Sequence, residues 1–255
     1  MNFPLKNIPV RTTQPRQSGI TMITDKGLSA DETIDLLSIA APHIDLAKLA
    51  FGTAFVTPSL EKKIRIYQDQ NIPVYFGGLL FEAFVARNQF DDYLALLREY
   101  NITHIEISDG SIDITHAEKC GYIEKLSRVG TVLSEVGSKD QDRIQVTPPY
   151  KWIEWMNAEL SAGASHVIAE AREAGNVGLY RDSGEVREGL VQEILTKIPA
   201  EKIIWEAPRK DQQLYFIRTI GANVNLGNVA PGEVIALEAM RVGLRSDTFD
   251  LFLNQ

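Results

Sequence analysis

Hydrophobic and polar positions along the chain follow two alternating patterns, one typical of buried strands and the other of amphipathic helices. In DDYLALLREY, for example, Tyr93, Leu94, Leu97 and Tyr100 recur at helical spacing. The helical segments cover 30–42, 59–70, 89–100, 116–129, 150–163, 185–198, 210–221 and 231–244. The strand-like runs are shorter and richer in β-branched residues, and they cover 19–25, 44–50, 72–78, 103–109, 131–137, 165–171, 202–208 and 222–228.

This alternation predicts an α/β fold with parallel strands, because each strand is followed by a crossover helix. Eight such units in 255 residues match the size of a closed (β/α)₈ TIM barrel. A doubly wound open sheet is the alternative, but the first strand is followed by DKGLSADE, which is not a Gly-rich dinucleotide turn. We therefore predict a single domain over 1–255, with 1–18 as an N-terminal extension and 249–255 as a C-terminal tail.

Composition narrows the range of partners. A net charge of −8 argues against nucleic acid or an acidic membrane surface as the main partner. One cysteine, Cys120, rules out an intramolecular disulfide, and no segment reaches the roughly 18 apolar residues of a membrane-spanning helix. The N-terminus also lacks an apolar core of signal-peptide length. We expect a cytoplasmic protein.

Four consecutive predicted strands end in a glutamate. Side-chain alternation places Glu106, Glu135, Glu170 and Glu206 towards the lumen, at the end of the barrel where active sites form. Four inward carboxylates would repel one another without cations, so we expect Mg²⁺, held by two or more of them. The alternative is an Arg/Lys–Glu network that only closes the top of the barrel.

Cationic and amide side chains follow the same strand ends. Together they suit an anionic substrate. The run NLGN, which includes Asn225, Gly227 and Asn228, is predicted to follow the last strand and to offer backbone N–H groups to a phosphate; a plain tight turn explains it equally well. The cations are Lys48, Lys139, Arg172, Arg209 and Lys210, and Asp25 ends the first strand as a further candidate catalytic carboxylate.

Several motifs resemble the phosphosulfolactate synthase family. They are IEISDG, EVGSKD, VIAEAREAGNVGLYRDSGEVR, EAPRKDQQ and NVNLGNV, with DKGL near the start and GLRSDT near the end. The resemblance extends from about Gly19 to Thr248. It implies a TIM-barrel lyase that adds sulfite to phosphoenolpyruvate with Mg²⁺, giving (2R)-3-phosphosulfolactate, the step that begins coenzyme M biosynthesis in methanogens. In GGLLFE (77–82), Leu79 departs from the family's GGTLFE and removes a hydroxyl group.

The resemblance also suggests roles. Mg²⁺, held by some of Glu106, Glu135, Glu170 and Glu206, would bind the substrate carboxylate, and Lys139 would protonate the carbon next to it. Glu106 is also a candidate catalytic residue. Lys48, Arg172, Lys210 and the NLGN segment would hold phosphate and sulfite. A homo-oligomer is expected. Two other functions stay open: a related barrel enzyme acting on another phosphorylated or carboxylate substrate, and a stress-related barrel protein without turnover. The family also includes plant heat-stress-associated proteins.

Overall fold

The eight predicted strands form one parallel sheet that curves into a barrel. A computed structural model describes residues 3–137, 147–171 and 174–253 of the chain. The strands are β1 (Thr21–Asp25), β2 (Leu46–Leu49), β3 (Val74–Phe76), β4 (His104–Ile107), β5 (Thr131–Val136), β6 (His166–Ala169), β7 (Ile203–Glu206) and β8 (Leu226–Val229). They lie in the order β3-β2-β1-β8-β7-β6-β5-β4. The predicted (β/α)₈ barrel is therefore confirmed.

The barrel is nearly closed, because its two end strands β3 and β4 touch but share no hydrogen-bonded ladder in the described chain. The Glu106 side chain spans this seam, where its Oε1 accepts a hydrogen bond of 2.6 Å from the Gly78 N–H. Gly78 approaches the end of β4 so closely that a Cβ at this position would lie 2.8 Å from the Cβ of Ser108, the residue after the strand. Only glycine fits there without displacing the strand.

Helices surround the barrel, and two of those described were not predicted from the sequence. They are α1 (Ala30–Ala40), α2 (Thr53–Val56), α3 (Leu60–Gln68), α4 (Gly78–Val85), α5 (Phe90–Glu99), α6 (His116–Leu126), α7 (Pro149–Ser161), α8 (Glu188–Leu195), α9 (Lys210–Ile220) and α10 (Val234–Arg241). The unpredicted ones are α2 and α4, which lie outside the helical segments predicted from the sequence. None of the helices in the described ranges is long and apolar enough to cross a membrane.

Local sequence signals explain where helices begin. Capping boxes start α1 and α6: Ser29 and Thr115 accept from the backbone N–H groups of Glu32 and Glu118, whose carboxylates accept in return. The strands are buried along nearly their whole length, because the lumen covers one face and helices cover the other. The strand ends therefore deliver polar side chains to one mouth of a dry barrel.

Candidate active site

One cavity of about 320 Å³ opens at the carboxyl-terminal mouth of the barrel. Its floor consists of side chains that point inward from the strand ends, and its rim consists of βα loops. It is lined by Thr24, Lys26, Lys48, Ala50, Phe51, Gly77, Gly78, Leu79, Glu106, Ser111, Glu135, Glu170, Glu206, Pro208 and Asn228. The structure thus brings all four predicted glutamates together with Lys48 and Asn228.

The four glutamates point into the lumen as side-chain alternation predicts. Glu106, Glu135 and Glu206 lie at the last or next-to-last positions of β4, β5 and β7, and Glu170 directly follows β6. All four are buried, with at most 6% of each residue exposed. Ala171 N–H donates to Glu206 Oε2 at 2.9 Å, so part of this acidic charge is met by the backbone.

Lys48, on β2, forms ion pairs with three of the four glutamates. Its Nζ lies 2.9 Å from Glu106 Oε1, 3.5 Å from Glu206 Oε1 and 3.7 Å from Glu135 Oε2. Burial alone would lower the pKa of Lys48, but the three carboxylates raise it well above its usual value. The cationic form of Lys48 is therefore favoured, and together with the Gly78 N–H it offsets the cost of burying Glu106.

One lysine does not balance four carboxylates. Burial raises the pKa of Glu206 to about 7. Lys48 lowers this pKa, but repulsion from Glu135 and Glu106 opposes that effect. The pKa of Glu106 is raised for the same reasons, with burial the largest cause and Glu135 adding to it. The cluster therefore has an excess of negative charge that a further cation would relieve.

The acidic side of the cavity suits a metal ion in its donor chemistry but not as a complete cage. Within the described ranges, no group of three or more His, Cys, Asp or Glu side chains is arranged to hold a metal ion. The donor chemistry nevertheless suits Mg²⁺, which binds carboxylate oxygens, often only one or two from the protein, with water and substrate oxygens as its other ligands. Glu106 Oε2 is buried and makes no hydrogen bond in the described structure. The donors fit a two-carboxylate site and do not fit an all-protein cage.

Glu82 on α4 organises the loop that follows β4, and sequence analysis missed it. Its carboxylate accepts from the Ser108 hydroxyl, from Gly110 N–H at 3.2 Å and from Ser111 N–H at 2.6 Å. This explains why the strand breaks into Ser-Asp-Gly-Ser: each residue type allows the loop to turn around one buried carboxylate. The available signal was a lone glutamate in the apolar run GGLLFEAFV, where Leu79 also lines the cavity.

Lys119 on α6 holds the same loop from the other side and was also missed. Its buried Nζ donates to Asp109 at 3.1 Å and to the backbone oxygen of Glu135 at 2.5 Å, and it pairs with Glu159 at 3.0 Å. These contacts tie the β4 loop, the end of β5 and helix α7 together. Two neighbouring elements of the active-site floor are thus positioned by one buried ammonium group.

Asp25 does not reach the cavity, which corrects its predicted place among the catalytic groups. Its carboxylate is fully buried and accepts from Lys63 Nζ at 2.7 Å and Tyr67 hydroxyl at 3.0 Å. It also accepts from the backbone N–H groups of Gly27 and Leu28, at 2.8 and 2.9 Å. With its oxygens occupied in this way, Asp25 anchors the turn after β1.

Three of the four NLGN residues lie in β8 and Asn225 directly precedes that strand, so the predicted loop after the last strand was wrong. Asn225 lies towards the other end of the barrel, where it accepts from Ile20 N–H and donates to the backbone oxygens of Glu201 and Ile203. It does not line the cavity, and neither does Gly227, whose Cα faces Met22 in the lumen. Asn228 does reach the cavity.

A β-bulge explains the position of Asn228. Thr21 pairs with Leu226 and Ile23 with Val229, so β8 uses one more residue than β1 over the same stretch. Asn228 takes φ +54°, a left-handed conformation that asparagine tolerates better than most residues. Strict alternation along β8 could not have predicted this placement.

The remaining predicted cations lie elsewhere. Lys210 starts α9, is about half exposed and pairs with Asp247, and it does not line the cavity. Lys139 and Arg172 fall outside the described residues, so their predicted roles stay predictions.

A barrel of parallel strands with buried acids and a buried lysine at its carboxyl-terminal mouth has the architecture of a (β/α)₈ enzyme. The fold alone is shared with 3-hexulose-6-phosphate synthase from Salmonella typhimurium, at a TM-score of 0.54 and 12% identity, covering 91% of this chain and 98% of that one.

Sequence comparison is more specific. The family model for (2R)-phospho-3-sulfolactate synthase (ComA) matches residues 9–247. The chain is 40% identical to phosphosulfolactate synthase from Bacillus subtilis over 252 residues, covering 98% of this chain and all of that one. It is also 40% identical to phosphosulfolactate synthase from Methanothermobacter thermautotrophicus over 244 residues, covering 94% and 95% of the two chains. The chain belongs to the phosphosulfolactate synthase family.

Proposed function

We propose that this protein is a phosphosulfolactate synthase that joins sulfite to phosphoenolpyruvate with the help of Mg²⁺. The observation that carries the proposal is the family match over 9–247, which includes every glutamate and lysine that lines the cavity. The product, (2R)-phospho-3-sulfolactate, forms when the sulfur lone pair attacks the methylene carbon, and the phosphate stays on the oxygen of the adjacent carbon. The electrons of the carbon–carbon double bond then move towards the carboxylate, and the adjacent carbon takes up a proton.

Electrostatics is the main obstacle to this reaction, because both substrates are anions. One like-charge pair at 4 Å costs roughly 4 kcal/mol at an effective dielectric constant of about 20, and several such pairs form at once. Mg²⁺ would supply positive charge where the substrate carboxylate gains electron density. Glu106, through its unbonded Oε2, and its neighbour Glu135 are the residues that would hold it.

Lys48 contributes in two ways to this scheme. Its ammonium group keeps Glu106, Glu135 and Glu206 in fixed positions around one point, so that no reorganisation is needed during the reaction. Its charge also reduces the negative potential that the anionic substrates meet on entry. The predicted proton donor, Lys139, remains part of the proposal.

The test is phosphorus and proton NMR of the purified protein with phosphoenolpyruvate, sulfite and Mg²⁺. A phosphosulfolactate signal is expected, and it should vanish with a chelator and return when Mg²⁺ is restored. Glu106→Gln is the variant that should abolish it, with Glu61→Gln, on the exposed face of α3, as the matched control. Absence of product from the wild-type protein at high concentration would overturn the assignment.

A further inference from the structure

The cavity has two chemically different sides. The four glutamates come from β4, β5, β6 and β7 and form one side. The other side comes from β8, β1 and the turn after β1, and it presents Thr24, Lys26 and Asn228. Among the described lining residues, this second side carries amide, hydroxyl and ammonium groups and no carboxylate. A dianionic group on the substrate is therefore repelled from one side and attracted to the other.

Lys26 is held at the rim by the turn that contains it. Asp25, the residue before it, accepts from the N–H groups of Gly27 and Leu28, the two residues after it. Asp25 is itself fixed by the buried groups Lys63 and Tyr67. The backbone on both sides of Lys26 is thus anchored to the barrel, while its side chain is exposed and lines the cavity.

Asn228 is oriented by a neighbour on the adjacent strand. The Thr24 hydroxyl donates to Asn228 Oδ1 at 2.8 Å. Because Oδ1 accepts this bond, the Nδ2 group is the part of the amide left to donate. Nδ2 makes no hydrogen bond within the described residues. The bulge in β8 brings this side chain to the cavity, so the site depends on both the extra residue and the threonine.

We propose that Lys26 and Asn228 bind the phosphate group of the substrate, and that Thr24 is a positioning residue that turns the donor end of Asn228 towards it. The proposal rests on the proposed function, because it assigns one end of the phosphorylated substrate to one side of the same cavity. A phosphate ester keeps close to two negative charges at neutral pH and does not react, so a fixed cation and amide suit it. The carboxylate of the substrate then faces the glutamates and the Mg²⁺ that they would hold.

The first test measures binding without turnover. Inorganic phosphate is titrated into the full-length protein, with sulfite in a parallel titration, and the dissociation constants are obtained by calorimetry. Lys26→Met should weaken phosphate binding about tenfold to a hundredfold, the range expected for losing a hydrogen bond from a charged group. Lys26→Arg should retain most of it. Lys197→Met, which removes an exposed lysine before β7 at the opposite end of the barrel, is the matched control and should match wild type.

The second test uses steady-state kinetics. Lys26→Met should raise KM for phosphoenolpyruvate by a similar factor and leave KM for sulfite within about twofold, since the lost group contacts phosphate alone. Thr24→Val should raise the KM for phosphoenolpyruvate with little change in kcat. Thr24→Ser, which keeps the hydroxyl group, should have a KM close to that of wild type. A merely structural role for Thr24 would lower stability without this selective effect.

Two results would overturn the assignment. If Lys26→Met leaves phosphate binding and KM for phosphoenolpyruvate unchanged, Lys26 is not a ligand of the phosphate. If only KM for sulfite rises, the site binds the sulfur nucleophile instead. Failure of the proposed function is distinguishable from both, since it would appear as absence of product from the wild-type protein.

Discussion

Lys48 Nζ and Glu106 Oε1 lie 2.9 Å apart across the mouth of the barrel, although β2 and β4 are not neighbours in the sheet. Their contact joins β2 to the acidic side of the cavity. Both groups are almost completely buried, so each needs the other: separating two buried charges leaves an uncompensated ion in a medium that solvates it poorly.

Replacing Lys48 tests this dependence. Lys48→Met should lower the free energy of unfolding by about 3–5 kcal/mol, because the glutamates lose their cation, and should reduce kcat/KM by at least about a thousandfold. Urea unfolding and NMR turnover assays measure the two effects. In the double variant Lys48→Met/Glu106→Gln, stability should recover in part while activity does not. Unchanged stability in the single variant would contradict the role given to Lys48.

Glu82 offers a test of loop positioning. Glu82→Gln replaces an acceptor oxygen with an amide that cannot accept from Ser108, Gly110 and Ser111 together. We expect a loss of about 1–3 kcal/mol in the free energy of unfolding, the usual cost of a buried group left unsatisfied. The β4 loop should also loosen, which amide hydrogen exchange at Gly110 and Ser111 would detect. Protection at these two amides equal to that of wild type would show that other contacts hold the loop.

Asp25 and Lys63 form a buried ion pair, and replacing both residues tests whether Asp25 is structural or catalytic. Asp25→Asn should destabilise the protein by about 3–5 kcal/mol, because Lys63 keeps its charge without a full partner. Thermal unfolding and single-turnover rates should be measured together. The double variant Asp25→Asn/Lys63→Met should regain much of the lost stability, and activity should return with it. A catalytic Asp25 would instead leave activity absent in the stabilised double variant.

His166 makes stability depend on pH. Burial, with Lys202 and His104 nearby, lowers the pKa of His166 to about 4 in the folded protein, whereas an unfolded histidine titrates near 6.5. The unfolded state therefore takes up a proton that the folded state does not, and stability is lost as pH falls from about 6.5 to about 4. The loss reaches at most about 3 kcal/mol.

The comparison variant is His166→Gln, which cannot titrate. Its free energy of unfolding should fall less steeply than that of wild type over the same pH range, whatever its value at pH 7. Urea unfolding at half-unit pH intervals measures both slopes. Parallel curves would show that His166 is protonated equally in both states.

The alternation of side chains along a strand predicted the strands and the direction of their glutamates. The eight strands follow from apolar runs bounded by turns, and Glu106, Glu135, Glu170 and Glu206 were placed correctly because regular strands keep side chains on fixed faces. The same rule failed in β8, where a bulge adds one residue and brings Asn228 to the cavity while Asn225 lies at the other end. A bulge has no reliable signature in a single sequence.

Buried partners from distant helices were the other source of error. Glu82 and Lys63 lie on α4 and α3, far in sequence from the loops and carboxylates they bind. Asp25 was read as a free strand-end acid because nothing near it in sequence reveals Lys63. Alternation gives the direction of a side chain, whereas only the packed structure shows what it meets there.

The seam between β3 and β4 gives the barrel a built-in reporter. Glu106 Oε1 forms the ion pair with Lys48, and the same oxygen accepts a hydrogen bond from Gly78 N–H across this gap. Electron density drawn away from Glu106 by an arriving cation must therefore weaken the one polar link described between Gly78 and β4. The chemical shift and exchange rate of the Gly78 amide would then change when a cation binds in the cavity. One amide would report both ligand binding and the closure of the barrel between β3 and β4.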